Sequence, residues 1–151
     1  MTSQLNRLSK VAETKAAKIL MNYFEGKNNK SLEISKTLPI RIKVSRPNVF
    51  LYEVSYMIPS HLTKDPPGPY DMKINLSQEE ARTYVVRSFQ GFYAEETGVK
   101  DEEWDDEAKK LALALKDDDT VNKFFYYKVQ YDTPSLFTES NNEVWMIKHP
   151  E

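Results

Sequence analysis

Hydrophobic positions fall into two patterns along this chain, one with the period of a helix and one with the period of a strand. Leu5, Leu8, Ala12, Ala16, Ile19, Leu20, Tyr23 and Phe24 recur every three or four residues. That spacing predicts a helix over Ser3 to Phe24 with one apolar stripe, leaving Lys10, Lys15 and Lys18 on the other face. Thr2 or Ser3 suits its N-cap, and Gly26 stands where a left-handed residue closes a helix. Trp104, Ala108, Leu111, Ala112 and Leu115 mark a second helix from about Asp101 to Lys116. Its acidic start (Asp101, Glu102, Glu103, Asp105, Asp106) complements the positive end of the helix dipole and reads as a capping and solubility device.

The strand pattern is clearest where Ile40, Ile42 and Val44 alternate with Arg41 and Lys43, within a strand over Leu32–Val44 interrupted near Pro39. Arg46-Pro47-Asn48 predicts a turn into a strand over Val49–Ile58. The loop Ser60–Tyr70 holds His61 and the stiff run Asp65-Pro66-Pro67-Gly68-Pro69. Further strands are expected at Met72–Leu76, Ala81–Gln90, Phe124–Tyr131 and Glu143–His149. The order of elements suggests an internal repeat, strand–helix–strand–strand, whose first copy lacks the leading strand. No linker or low-complexity tract appears, so residues 1–151 are expected to form a single domain.

Composition narrows the chemistry. The chain has no Cys, which removes disulfides, thiolate metal sites, thiol catalysis and covalent haem attachment. It has only four Gly, and no G-x-S-x-G, H-E-x-x-H or P-loop pattern, so no enzyme activity is expected. No apolar run approaches the ~20 residues of a membrane span, no signal-peptide core is present, and a cytoplasmic location is expected. Residues 1–50 carry ten Lys/Arg against three Asp/Glu, whereas residues 51–151 carry eleven against twenty. The positive half is able to attract anions, although opposite solvated faces explain the division as well. No basic block interleaved with exposed aromatics points to nucleic acid.

Four stretches together resemble the SOUL / haem-binding-protein family. They are Tyr84-Val85-Val86-Arg87-Ser88-Phe89-Gln90-Gly91-Phe92, Phe125-Tyr126-Tyr127-Lys128-Val129-Gln130-Tyr131-Asp132-Thr133-Pro134, Asn142-Glu143-Val144-Trp145-Met146-Ile147 and the Asp65–Pro69 loop. The resemblance implies an α+β fold, a distorted and mainly antiparallel β-barrel of two pseudo-symmetric halves with two external helices. It also implies reversible, non-covalent binding of haem or related tetrapyrroles in a carrier or buffer role. The alternatives are a protein-interaction module linked to mitochondrial permeability and cell death, using the hairpin Leu136–Ile147 or the first helix, and a binding domain for another hydrophobic anion.

The same resemblance points to Lys18, Met21, Asn22, His61 and Leu136 as candidate cofactor-binding positions. Asn22 and Leu136 stand where relatives often carry Lys, so this chain departs from the pattern at the expected propionate partners. An axial ligand would come from His61, His149, Met21, Met57 or a Tyr, and no metal ligand is assigned. Each has a plainer reading: a frayed terminus for His149, a loop for His61, a core filler for Met21. Lys18, Arg41, Lys43 and Arg46 suit propionates or simply the wet face of a sheet. Arg87 and Glu143 are expected to form a structural ion pair or network, with Glu143 held by Arg87 or backbone amides. Family chains also begin with a strand before the first helix. Its absence predicts an open edge near Val44, Leu51, Val54 and Tyr56, and either self-association through that edge or a loop folded over it.

Overall fold

The computed structural model describes residues 2–45, 52–92, 101–131 and 139–149, the side chains of 2–10, 92 and 139 excepted. Helix α1 spans Thr2–Phe24 and is followed by strands β1 (Ile40–Ser45) and β2 (Tyr52–Ser55), then β3 (Tyr84–Phe92). Helix α2 (Asp101–Ala114) precedes β4 (Phe125–Gln130) and β5 (Glu139–Ile147). The strands form one antiparallel sheet in the order β2-β1-β4-β5-β3. No helix of the described residues is long and apolar enough to cross a membrane.

Alternation sends the two sets of side chains to opposite faces of this sheet. On one face, Val44, Tyr126, Val144 and Met146 pack with Trp104, Ala108 and Leu111 of α2. On the other, Tyr127, Val129 and Ile147 pack with Tyr84, Phe125, Tyr131 and Trp145. A third, smaller cluster lies at the end of α1, where Tyr23, Phe24 and Ile34 meet Tyr56, Leu62, Ile74 and Leu76.

The α2 interface is as polar at one end as it is apolar at the other. Asp101 accepts from Lys128 Nζ at 2.6 Å, Asp105 from Tyr126 OH at 2.7 Å, and Glu107 from Arg87 Nε at 2.6 Å. The acidic start of α2 therefore fastens the helix to the sheet, beyond the capping and solubility expected of it. Lys128, whose side chain is only 3% exposed, also pairs with Glu13 of α1 at 3.5 Å. Burial alone would depress the Lys128 ammonium, but Glu13 and Asp101 outweigh it and hold the group above its ordinary value.

Several expectations are corrected. Residues 32–39 make no strand, and a cis Leu38–Pro39 bond precedes β1. Met72–Leu76 is no strand either, with Met72 fully exposed and Ile74 and Leu76 turned into the small cluster. Val86, a β-branched residue of β3 expected to add to the buried surface, is 43% exposed, and it is Val85 and Phe89 that meet the α2 core. Arg87 faces α2 and pairs with Glu107, so it does not hold Glu143. Glu143 instead accepts from Ser88 Oγ, Tyr131 OH and Trp145 Nε1, all side-chain donors on the other face. Val44 sits on β1, paired on both sides, and β2 and β3 are the edges. The turn at Arg46-Pro47-Asn48 and Leu51 lie outside the described residues.

Candidate functional site

The C-terminal end of α1 is built to hold a neighbouring loop. Gly26 adopts φ +96°, and the Lys27 N–H donates to Asn22 O at 3.0 Å while the Gly26 N–H donates to Tyr23 O at 3.3 Å. This pair of bonds closes the helix as a Schellman motif, in the left-handed conformation glycine tolerates best. The next residues turn back under the helix. Asn28 is wholly buried, and its amide donates to Tyr23 O and Leu32 O while accepting from the Lys30 and Leu32 N–H groups.

Three contacts then fix the proline-rich loop against α1. Tyr23 OH donates to Pro67 O at 2.7 Å. Asn29 and Gly68 exchange two bonds, N–H to Gly68 O at 2.9 Å and Gly68 N–H to Asn29 Oδ1 at 2.7 Å. Lys30 pairs with Asp65. A Cβ at Gly68 would meet Asn29 Nδ2 at 3.0 Å, so the close approach depends on the absence of a side chain there.

Between α1 and this loop lies a cleft of about 360 Å³, lined by Ile19, Asn22, Tyr23, Gly26, Lys27, Tyr70, Asp71 and Ile74. Ile19, Asn22 and Tyr23 share a helix face by their three- and four-residue spacing. Tyr70 is 68% exposed and stands at the rim opposite. Lys27 Nζ donates to Asn22 Oδ1 at 3.1 Å, so the asparagine steadies a cation at the cleft's polar end. Tyr23 is committed to Pro67, and burial raises its hydroxyl above the ordinary tyrosine value.

The positions singled out in the sequence are only partly gathered here. Asn22 lines the cleft. Lys18 is exposed one turn before it on the same helix, at the margin. Met21 is not among the lining residues, and at 100° per residue it points to roughly the opposite side of α1. His61 is exposed in a 3-10 turn, Ser60–Leu62, and does not line the cleft. Leu136 lies outside the described residues. His149 is exposed, but it is tied down rather than frayed, since its N–H donates to Thr120 O at 2.7 Å. The sequence reading missed Lys27, Tyr70 and Ile74. Lys27 was within reach of it, because a residue following a C-terminal glycine folds back over the last helical turn.

Among the described residues no group of three or more His, Asp or Glu lies close enough to hold a metal ion. The cleft offers apolar surface, an exposed aromatic ring and one lysine, with Asp71, whose Oδ1 accepts from the Lys73 N–H, also in its lining, a set suited to a flat hydrophobic molecule that carries an anionic group.

Comparison with known proteins gives the family. Residues 1–147 match the family model described as SOUL heme-binding protein. The chain is 32% identical over 137 residues to mouse and to human Heme-binding protein 2, covering 87% of this chain and 64% of each relative. It is 31% identical over 137 residues to Heme-binding protein 1 of Xenopus laevis, covering 86% of this chain and 67% of that one. The chain thus spans just under two thirds of the length of the Heme-binding protein 2 relatives. A match over residues 1–147, through the last residue of β5, places the chain in the SOUL haem-binding protein family.

Proposed function

We propose that the chain binds haem or a related tetrapyrrole, non-covalently, in the cleft between α1 and the 65–74 segment. The observation that carries this reading is an apolar cleft with Lys27 inside it and Lys18 at its margin, in a member of a family described by haem binding. Ile19, Tyr23 and Ile74 remove water from the macrocycle, Tyr70 lies across the rim, and Lys27, steadied by Asn22, meets a propionate. Bound there, haem supplies its iron and its visible absorption. Among the described residues no His or Met lines the cleft, so ring contact and charge, with Tyr70 the tyrosine at the rim, supply the protein's hold. Such a grip is reversible, as a carrier or buffer requires.

We also infer that the sheet curls toward a distorted barrel. Arg41 of β1 and Tyr84 of β3 meet at 3.2 Å, although three strand steps separate them. In a flat sheet they would stand about 14 Å apart across the strands and about 13 Å apart along them. Those separations exceed what the two side chains span together.

Haem titration followed by the Soret band tests the site. Tyr70→Ala should weaken binding by about tenfold or more, the equivalent of roughly 1.5–3 kcal/mol of lost aromatic burial. Lys27→Glu should weaken it by about fivefold. Wild-type affinity in both variants would remove the cleft from consideration.

A further inference from the structure

The sheet face away from the α2 core carries a second constellation that the cleft does not use. Tyr84 packs on Trp145 at 4.9 Å and on Tyr127 at 6.0 Å, and Phe125 meets Tyr127 at 5.7 Å. Two cations are laid on these rings, Arg41 at 4.8 Å from the Tyr127 centroid and Lys43 at 4.5 Å from that of Phe125. Arg41 holds one carboxylate, that of Glu79, through both guanidinium nitrogens, with Nη1 to Oε2 at 3.0 Å. A planar guanidinium gripping both oxygens is the geometry proteins use to recognise a carboxylate.

Glu79 is an unusual partner for so well-placed a group. It comes from residues 77–83, an exposed stretch without regular structure. Arg41 is 19% exposed and Glu79 40%. Arg41, Arg82 and Lys43 all act electrostatically on Glu79, so three cations surround one acid. Arg41's hydrogen bond to Glu79 and these charges hold that carboxyl below its ordinary value against the opposing effect of burial. Arg41, Arg82 and Lys43 gather round Glu79 over a floor of aromatic rings, with Glu53 opposite Lys43 in the β1–β2 pair.

We propose that this corner is a second binding site, for a planar aromatic monocarboxylate, in which Glu79 occupies the ligand's carboxylate position until it is displaced. The ligand's ring lies against Tyr84 and Trp145, and its carboxylate takes over the Arg41 fork. Glu143 sets the limit on charge. It shares the cross-sheet row of Arg41 through Val129, two strand steps and about 10 Å away. Its carboxyl group accepts from Ser88, Tyr131 and Trp145, so a second carboxylate reaching that far meets an acid already in place.

The test is a titration of ¹⁵N-labelled protein with 2-naphthoate, followed by the indole N–H of Trp145, assigned with Trp145→Phe. That resonance should shift while the Gly26 amide, in the cleft, stays in place. Glu79→Ala frees the guanidinium from an intramolecular competitor and should tighten binding roughly tenfold. This gain is a change that misfolding does not produce. Arg41→Gln should weaken binding at least tenfold, and acetate, which lacks a ring, should bind far more weakly than naphthoate. Unchanged or weaker binding by Glu79→Ala, shifts confined to the cleft, or equal affinity for acetate would each overturn the proposal. None of these outcomes bears on the Soret titration of the cleft.

Discussion

The two helices are attached to the molecule in different ways. α2 is pressed against the sheet: Trp104 is 1% exposed, Ala108 and Leu111 lie beside it, and three side-chain contacts from Asp101, Asp105 and Glu107 lock its start. The C-terminal end of α1 rests on a smaller cluster built largely from irregular segments, Ile34, Leu62, Ile74 and Leu76. The difference separates stability from binding. A helix committed on its buried face and its charged flank has little surface left for a ligand. A helix held at its end by a loop leaves a face free, and the loop becomes the other wall of a cleft.

The comparison breaks most sharply at Trp104. Trp104→Ala should cost about 3–5 kcal/mol in urea unfolding, because a filled core site beside Phe89 becomes a cavity. The same measurement on Tyr70→Ala should change stability by no more than about 0.5 kcal/mol. Similar losses in the two would mean that both helices carry the core. Tyr23→Phe is the intermediate case. It removes the donor to Pro67 O and should cost about 1–2 kcal/mol. Amide exchange at Asn29 and Gly68 should quicken, while that of β4 should not.

The smallest effect concerns pH. Desolvation pushes Glu107 up, but Lys110 and Arg87 outweigh it and hold the carboxyl below its ordinary value of 4.5. A depressed folded-state pKa stabilises above the ordinary value, and the contribution disappears as pH falls below it. Arg87 and Lys110 are largely solvated, so the amount is under about 1 kcal/mol. Glu107→Gln should flatten the acid limb of the stability profile by that amount. An unchanged limb would mean that the Glu107 pairs add nothing measurable, leaving α2 held by its apolar face and by Asp101 and Asp105.

Much of this was legible in the residues. The helix stripe ending at Phe24, the Gly26 stop and the strands around Tyr84–Gln90 and Phe125–Gln130 follow from period and propensity, and they formed. Period does not say which side of β3 meets a helix, since Tyr84-Val85-Val86 is apolar on both sides. Burial therefore fell on Val85 rather than Val86. Ile74 and Leu76 alternate like a strand, yet they are spent on the cluster beneath α1, and no ladder forms. The cleft was half visible. Asn22 could be marked on α1, but Tyr70 and Ile74 reach it only because Asn29 and Gly68 clasp distant parts of the chain. Such a clasp leaves no periodic trace. The donors expected for Glu143 were misassigned because Arg87, one strand over, points through the opposite face.

Lys128 has a consequence for how the molecule comes apart. One buried ammonium draws a carboxylate from each helix, Glu13 and Asp101. Neither helix can peel away without stranding charge in a dry interior, and the half left behind would keep a lysine with too few partners. The opening of α1 is thereby coupled to the loss of α2 from the sheet. The two helices are bound into one cooperative unit, so a probe on α1 and a probe on α2 should report the same melting transition.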